Sequence, residues 1–405
     1  MNLRPCAALL CVVSGTALAL PPTFTGVGFV TGASHSEVYG LSADGTVAVG
    51  YCDTGGGTSQ AFRWTAESMA GVGDLPGGVV ASVAYCASAD ANVMGGQGNG
   101  VNGTEAFKYT GSFTALGGTV PGGFFGSVVN ASSTNGVRLA GARELSGFRV
   151  EACRWNNTSI SGLGYLVAGG SYSFAWGMSG DGLTIVGGSD ASAGYEAFRW
   201  NSGAMVSLGD LHAGGTTNSE AFGVSRDGTT IVGFGTTSLN RAHAFRWTSG
   251  EGMVDIGELP GGSDYSSAQA VNADGSVIVG RSSGLSTSAE AFVWDSVRGM
   301  RPLRAVLVSL GVDMTGWTLS NATAVSDDGL TIAGYGTNPV SQTEGWVVTL
   351  PCFSDYNHDG FVTGDDFDAF IADFELGLPA ADVNEDTFTS GDDFDAYVAA
   401  FEKGC

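Results

Sequence analysis

The sequence predicts an all-β chain closed into a seven-bladed β-propeller, followed by a small α-helical module. Three observations carry this reading. An Asp-Gly turn recurs about every 46 residues, an Ala-Phe-Arg-Trp-like segment follows each turn at a steady distance, and the composition suits short strands joined by tight turns. Glycine supplies 66 of 405 residues without a collagen period, and charged residues are only 14 %. Hydrophobic residues at 43 % are enough to build a core.

In chain order the turns are Asp44-Gly45, Asp90-Ala91, Asn135-Gly136, Asp181-Gly182, Asp227-Gly228, Asp274-Gly275 and Asp328-Gly329, in steps of 46, 45, 46, 46, 47 and 54. Each unit reads as four strands. The first is like Glu220–Ser225. The Asp-Gly pair then supplies the positive φ angles of a tight hairpin. The second strand, like Thr229–Gly233, is short and β-branched. The third is Ala61–Trp64 and its equivalents at Ala106–Tyr109, Ala152–Trp155, Ala197–Trp200, Ala244–Trp247, Ala291–Trp294 and Gly345–Val348. Its aromatic residues are two apart and share a face, while the basic residue between them (Arg63, Lys108, Arg154, Arg199, Arg246) points the other way and is expected to pair with acids of neighbouring strands. Fourth strands start near Thr25, Met69, Phe113, Ile160, Met205, Met253 and Met300. One of these precedes the first unit, so Thr25–Val30 is expected to complete the blade built from Ala322–Leu350 and to protect the free edges of the array.

The net charge is −24, which excludes a nucleic-acid partner, since a phosphate backbone demands a basic surface. Residues 351–405 alone hold 14 acidic and one basic side chain, so a boundary falls near Pro351. At the other end Arg4, the apolar Ala7–Val13 and Ala17-Leu18-Ala19 read as a signal peptide over residues 1–19. No stretch is long enough for a transmembrane helix. The expected organisation is a signal peptide (1–19), a propeller (20–350) and a C-terminal module (351–405), secreted and extracellular or held at the cell surface.

Residues 355–366 have the spacing of an EF-hand-type calcium loop. Asp355, Asn357, Asp359, the Phe361 carbonyl, Thr363 and Asp366 stand at positions 1, 3, 5, 7, 9 and 12. Asp382, Asn384, Asp386, Phe388, Ser390 and Asp393 repeat them 27 residues later. Thr387 replaces the turn glycine Gly360, so the second of two calcium sites is expected to be the weaker. Helices are expected over Asp366–Leu376 and Asp393–Lys403. Cys352 and Cys405 bracket the module. Helix packing would bring its ends together, so a disulfide there is the lead expectation. Cys405 as a covalent anchor to another molecule is the alternative. Cys153 stands at a core aromatic position and reads as a buried thiol.

The repeat resembles the HAF-type extracellular repeat family, named for the string seen here at His243-Ala244-Phe245. That family is defined by its repeat and implies no chemistry. Paired loop-plus-helix units with Asp at position 12 resemble the dockerin family, and Gly404-Cys405 looks like its GC-type variant. That resemblance implies two bound calcium ions and a cohesin-like or cell-surface receptor. Gly364-Asp365 and Gly391-Asp392 match the positions dockerins use for partner choice.

A glycan or protein ligand of the propeller should meet the connections where the units differ. His35, Phe124, Phe125, Tyr172, Tyr265 and Trp317 fall in the connections between fourth and first strands, and aromatic side chains there could stack on sugars or grip a protein. No catalytic residues stand out. The expectation is a secreted, non-catalytic binding or structural protein displayed through its calcium-dependent tail. The alternative is a secreted polysaccharide lyase or hydrolase on the propeller face, which would need paired carboxylates at non-repeated positions.

Overall fold

The structure is a computed structural model that describes residues 21–212, 216–284 and 289–404. The segment read as a signal peptide and Cys405 lie outside the described residues. The chain divides into two compact units, Pro22–Leu350 and a second that holds Pro351–Cys405.

The first unit is the seven-bladed β-propeller that the repeat predicts. Its seven antiparallel sheets have four strands each, and one gains a short parallel strand at Thr217–Asn218. A representative blade runs Glu220–Val224, Ile231–Thr236, Ala242–Thr248 and Gly252–Asp255. The seventh sheet closes the ring, because Thr23–Gly26 pairs antiparallel with the last strand, Thr343–Thr349. This closing strand lies N-terminal of the expected Thr25–Val30, because the chain turns at Gly28 with φ 76.

The Asp-Gly turns differ from the hairpin expected. Only their second residue has positive φ, between 65 and 80 for the glycines and 52 for Ala91. The acidic side chain closes a wider loop instead. In the first blade Ser42 Oγ donates to Asp44 Oδ1 at 2.6 Å, and Val47 N donates to Ser42 Oγ at 2.9 Å. Ser42, Ser88, Ser133, Ser179, Ser225 and Ser326 occupy this place, and Asn272 stands for them in the sixth blade.

A second set of buried serines joins the blades. Ser82 Oγ donates to Gly73 O of the preceding blade and accepts from Ala61 N. Ser36, Ser127, Ser173, Ser219 and Ser266 make the same two bonds. At roughly 1 kcal/mol per buried bond, each serine contributes about 2 kcal/mol to one interface. Between the sixth and seventh blades a helix, α1 (Leu303–Ser309), takes this part. It inserts Leu303 and Leu307 into the core beside Trp346, and it accounts for the long last step of the repeat.

The basic residues of the third strands do not share one acidic partner. Lys108 Nζ donates to Gly136 O at 2.8 Å, Arg154 lies 4.5 Å over the Trp200 ring, and only Arg246 meets an acid, Glu251 at 2.7 Å. Lys108 thus ends on a turn carbonyl and Arg154 on a flat indole, while Arg199 Nε is buried without a hydrogen-bond partner among the described residues. Cys153 is a buried free thiol, and Cys52 and Cys86 are free and buried as well. Cys352 is disulfide-bonded.

The C-terminal unit packs two helices, α2 (Gly364–Glu375) and α3 (Gly391–Lys403), around Phe370, Ala381, Val383 and Tyr397. The helices start two residues before the expected Asp366 and Asp393. Thr363 and Ser390 are N-caps in capping boxes that those two aspartates complete. Ser354 Oγ donates to Ala400 O and Tyr397 Oη to Ser354 O, tying the start of the module to its last helix. No helix among the described residues is long and apolar enough to cross a membrane.

Candidate functional site

The first strands of the blades stand side by side around the ring and line a central channel. Each strand carries a β-bulge whose extra residue escapes pairing: Tyr39, Tyr85, Asn130, Trp176, Phe222 and Gln269 in blades one to six. Bulges re-aim a side chain at the cost of one pair. The bulged residues are of five types over six blades and are partly exposed, so the channel wall is not itself repeated.

Two aromatic clusters with one carboxylate each result. In the first, Tyr39 stacks on Tyr51 and tilts on Tyr85 at ring distances of 6.0 and 5.2 Å. Tyr39 Oη donates to Glu37 Oε2 at 2.5 Å, and His35 Nε2 lies 3.0 Å from Glu37 Oε1. Both Glu37 oxygens are therefore occupied. In the second, Phe174 stacks on Trp176 at 5.7 Å, and Phe222 follows at 6.1 Å. Glu220 accepts from Trp176 Nε1 at 2.6 Å and from Tyr195 Oη at 3.3 Å, both on Oε1. Burial pushes its carboxyl above the ordinary value, and these two donors offset that only in part.

The hairpin end of the channel is narrowed by backbone. Ala43 N donates to Ala89 O, Ala89 N to Thr134 O, Thr134 N to Gly180 O, Gly180 N to Arg226 O, Arg226 N to Ala273 O, Ala273 N to Asp327 O and Asp327 N to Ala43 O, all at 2.8–3.2 Å. These seven bonds form a closed ring. Arg226 crosses it to pair with Asp327 on one side and Thr134 Oγ1 on the other. A Cβ on Gly180 would lie 2.6 Å from Arg226 Cγ, which is why a glycine stands there. A cavity of about 130 Å³ sits at this end, bounded by Leu41, Met178, Val325 and the ring.

The opposite end is apolar at its rim. The tips of four second-to-third-strand hairpins expose Val101 (78 %), Phe148 (75 %), Leu239 (78 %) and Val340 (71 %). Phe124, 56 % exposed, lies 5.8 Å from Phe148. Of the other residues expected on this face, Tyr172 is exposed. Phe125 turns inward against Phe174, joining rim to channel, and His35 reaches Glu37. Tyr265 lies under Arg281. Trp317 packs on Phe24 and the seventh-blade core rather than standing on the rim.

In the C-terminal unit the two loops are built alike. Asp366 accepts from Asn357 N and Thr363 N at 3.1 and 2.7 Å, and Asp393 accepts from Asn384 N and Ser390 N at the same distances. Asp355 takes Asp359 N and Gly360 N, and Asp382 takes Asp386 N and Thr387 N. One oxygen from each of Asp382, Asp386 and Asp393 lies within 4.8 Å of the others. Burial raises the Asp355 carboxyl, and the Asp366 charge adds to this. Converging carboxylates with an amide, a hydroxyl and a carbonyl are an all-oxygen donor set that suits a hard divalent cation. Thr387 takes φ 78 where Gly360 takes φ 95, so a β-branched residue sits in the left-handed region in the second loop.

Sequence reasoning missed Glu37, Tyr39, Trp176 and Glu220. A signal was present: the bulged residue stands five positions before each turn Asp or Asn, and the channel glutamates seven before. Blade-to-blade variation at those two offsets would have marked the channel.

No family model matches the chain, and no curated protein matches it. An oligogalacturonate lyase of Vibrio parahaemolyticus is similar in structure at a TM-score of 0.50 and 9 % identity, over 83 % of this chain and 99 % of that one. The β-propeller domain of the trilobed protease of Pyrococcus furiosus is similar at 0.49 and 7 %, over 82 % and 95 %. A TolB of Agrobacterium tumefaciens is similar at 0.40 and 14 %, over 70 % and 94 %. At these identities the likeness is one of fold.

Proposed function

We propose that this protein is a non-catalytic binding protein acting outside the cytoplasm, displayed through a calcium-loaded C-terminal module. The observation that carries the reading is the apolar rim. Among the described residues, the four large hydrophobic side chains of the propeller that are more than 70 % exposed sit on hairpin tips of one face. Phe124 and Phe148 meet on that face, and exposed apolar groups that meet mark a recognition surface for a protein or glycan. Repeat architectures vary where they bind and repeat where they pack, and the rim and bulges are the varied parts here.

The C-terminal module, dockerin-like in its paired loops, is read as the attachment device. It would hold two calcium ions, one through Asp355, Asn357, Asp359, Phe361, Thr363 and Asp366, the other through the equivalent six residues. A cohesin-like or other cell-surface receptor would then take it. Cys405 is proposed as the partner of the bonded Cys352, a pairing supported by the Ser354–Ala400 tie.

The test compares full-length chain, chain ending at residue 350, and full-length Phe124→Ser/Phe148→Ser for retention on the producing cell's surface fraction, with calcium and with chelator. Calcium-dependent retention that needs the tail, with ligand capture that needs the two phenylalanines, is the expected result. Equal retention of both lengths in calcium would sink the attachment role.

One observation favours a second reading. Glu37 and Glu220 are channel carboxylates at an offset where the other five units have none, and a polysaccharide lyase or hydrolase would need carboxylates of that kind. Release of unsaturated or reducing sugar ends by the full chain, abolished in Glu220→Gln, would establish the enzyme and displace the binding reading.

A further inference from the structure

We propose that the channel is a binding site for an organic ammonium ion, held by the Glu220 carboxylate against the rings of Phe174, Trp176 and Phe222. The inference deepens the recognition reading and rests on it, since it assigns ligand chemistry to the channel behind the rim.

The first argument is an open valence. Glu220 takes both of its hydrogen bonds on Oε1, and among the described residues Oε2 has no partner. Neither is Oε2 one of the fully buried unpartnered atoms, so it keeps contact with solvent on a first strand that lines the channel. No arginine, lysine or histidine acts on this carboxylate. Its neighbours are an indole N–H and a phenol. The first cluster provides the contrast, because there both oxygens of Glu37 are taken by Tyr39 and His35.

The second argument is that the cluster is built. Tyr195 reaches Glu220 only because blade four has glycine at 188, where a Cβ would lie 2.4 Å from Tyr195 Cε1. The equivalent positions in the other blades are Tyr51, Gln97, Ala142, Phe234, Arg281 and Tyr335, so this glycine belongs to this site and not to the repeat. Trp176 is itself the bulged residue, aimed out of the ladder beside Phe222, the bulged residue of the next blade.

The third argument selects the ligand. An anion would meet an uncompensated carboxylate. A metal ion would find one carboxylate flanked by N–H and O–H donors, far short of the oxygen shell it needs. A neutral sugar could stack on the rings but would leave the charge unanswered. An ammonium ion with an apolar body satisfies both parts: charge against Oε2, and carbon against aromatic faces whose π-clouds attract cations, Trp most strongly. A lysine side chain of a protein ligand and a free small amine share this chemistry.

The test is isothermal titration of the full chain with n-butylammonium and tetramethylammonium chloride at matched ionic strength, with cellobiose and sodium butyrate as neutral and anionic counterparts. Saturable binding of an ammonium ion, weakened about tenfold or more in Glu220→Gln and in Trp176→Leu, is expected. Glu67→Gln, which alters an exposed carboxylate between the third and fourth strands of the first blade, should bind as wild type does. Glu220→Asp, which keeps the charge but withdraws it by one methylene, should weaken binding with an unchanged melting temperature. It keeps the test decisive if Glu220→Gln or Trp176→Leu misfolds. The proposal is overturned by no saturable heat with either ammonium ion, by cellobiose or butyrate binding in the same range, or by wild-type affinity in Glu220→Gln. Ligand capture by the rim that persists while both ammonium ions fail would remove this site and leave the recognition face standing.

Discussion

Gly141→Ala is the sharpest test of how the blades are assembled. Glycine stands six residues after each turn Asp or Asn, at Gly50, Gly96, Gly141, Gly187, Gly233, Gly280 and Gly334. Each faces the bulged part of its neighbouring first strand. A Cβ there would lie 1.8–2.2 Å from a carbonyl oxygen of that strand, against 3.4–4 Å for ordinary contact. At Gly141 the nearest atoms are Val128 O at 1.9 Å and Val128 C at 2.9 Å, both backbone. A rotamer change cannot relieve this clash. The strands must part by about 1.5 Å, which costs roughly 1–3 kcal/mol as overpacking. It also breaks about two ladder hydrogen bonds at roughly 1 kcal/mol each. The total is about 4 kcal/mol. With an unfolding entropy of about 2.1 cal/mol/K per residue over a unit spanning Pro22–Leu350, that lowers its melting temperature by about 6 °C. The assay is differential scanning calorimetry of wild type, Gly141→Ala and Gly250→Ala. Gly250 has open space around its would-be Cβ, so that variant should melt within about 1 °C of wild type. Equal melting of the two variants would refute the argument that these glycines exist for the bulge.

Three further outcomes are expected. Saturating calcium, at about 100 times its dissociation constant, should stabilise the C-terminal module by about 2.7 kcal/mol per site in calorimetry, and Asp355→Ala with Asp359→Ala should remove the first site's share. A melting transition of the module that ignores both calcium and chelator would sink the metal reading. Thr387→Gly should stabilise the second loop by about 1–2 kcal/mol by relieving a β-branched residue held at φ 78, with tighter calcium binding there; unchanged calcium titration would count against strain as the cause. Burial raises the folded Glu220 carboxyl above its ordinary value, so the folded state resists its ionisation. Below the unfolded value no penalty applies, and stability is lost as pH rises from there through the raised folded value. Glu220→Gln should therefore match wild type near pH 4 and melt higher near pH 7.5; a constant difference at both pH values would contradict burial as the cause.

The repeat, its period and the ring of seven were legible in the chain because they rest on local chemistry. Turn residues need particular φ angles, and alternate aromatic residues mark one face of a strand. Both recur where the sequence recurs. The loop-and-helix units were legible for the same reason, since the donors stand at fixed offsets and the caps at Thr363 and Ser390 are local. Helix α1 was less legible, because its apolar run gains meaning only where the serine joint between blades is missing.

The channel was decided by tertiary structure. Glu220, Trp176 and Tyr195 lie on three different strands of two blades, and no spacing along the chain announces that they meet. Glu37 and Glu220 occupy the same offset in their units, yet one is fully satisfied and the other holds an open oxygen, because Tyr39 and His35 stand near the first and a Gly188-seated tyrosine near the second. Trp317, placed on the rim by its position in a connection, packs into the core because the closing strand brings Phe24 beside it from the far end of the propeller. Backbone preferences act over a few residues and are written in order along the chain. Burial, charge compensation and ring contacts depend on which blades become neighbours, and that is settled only when the ring closes.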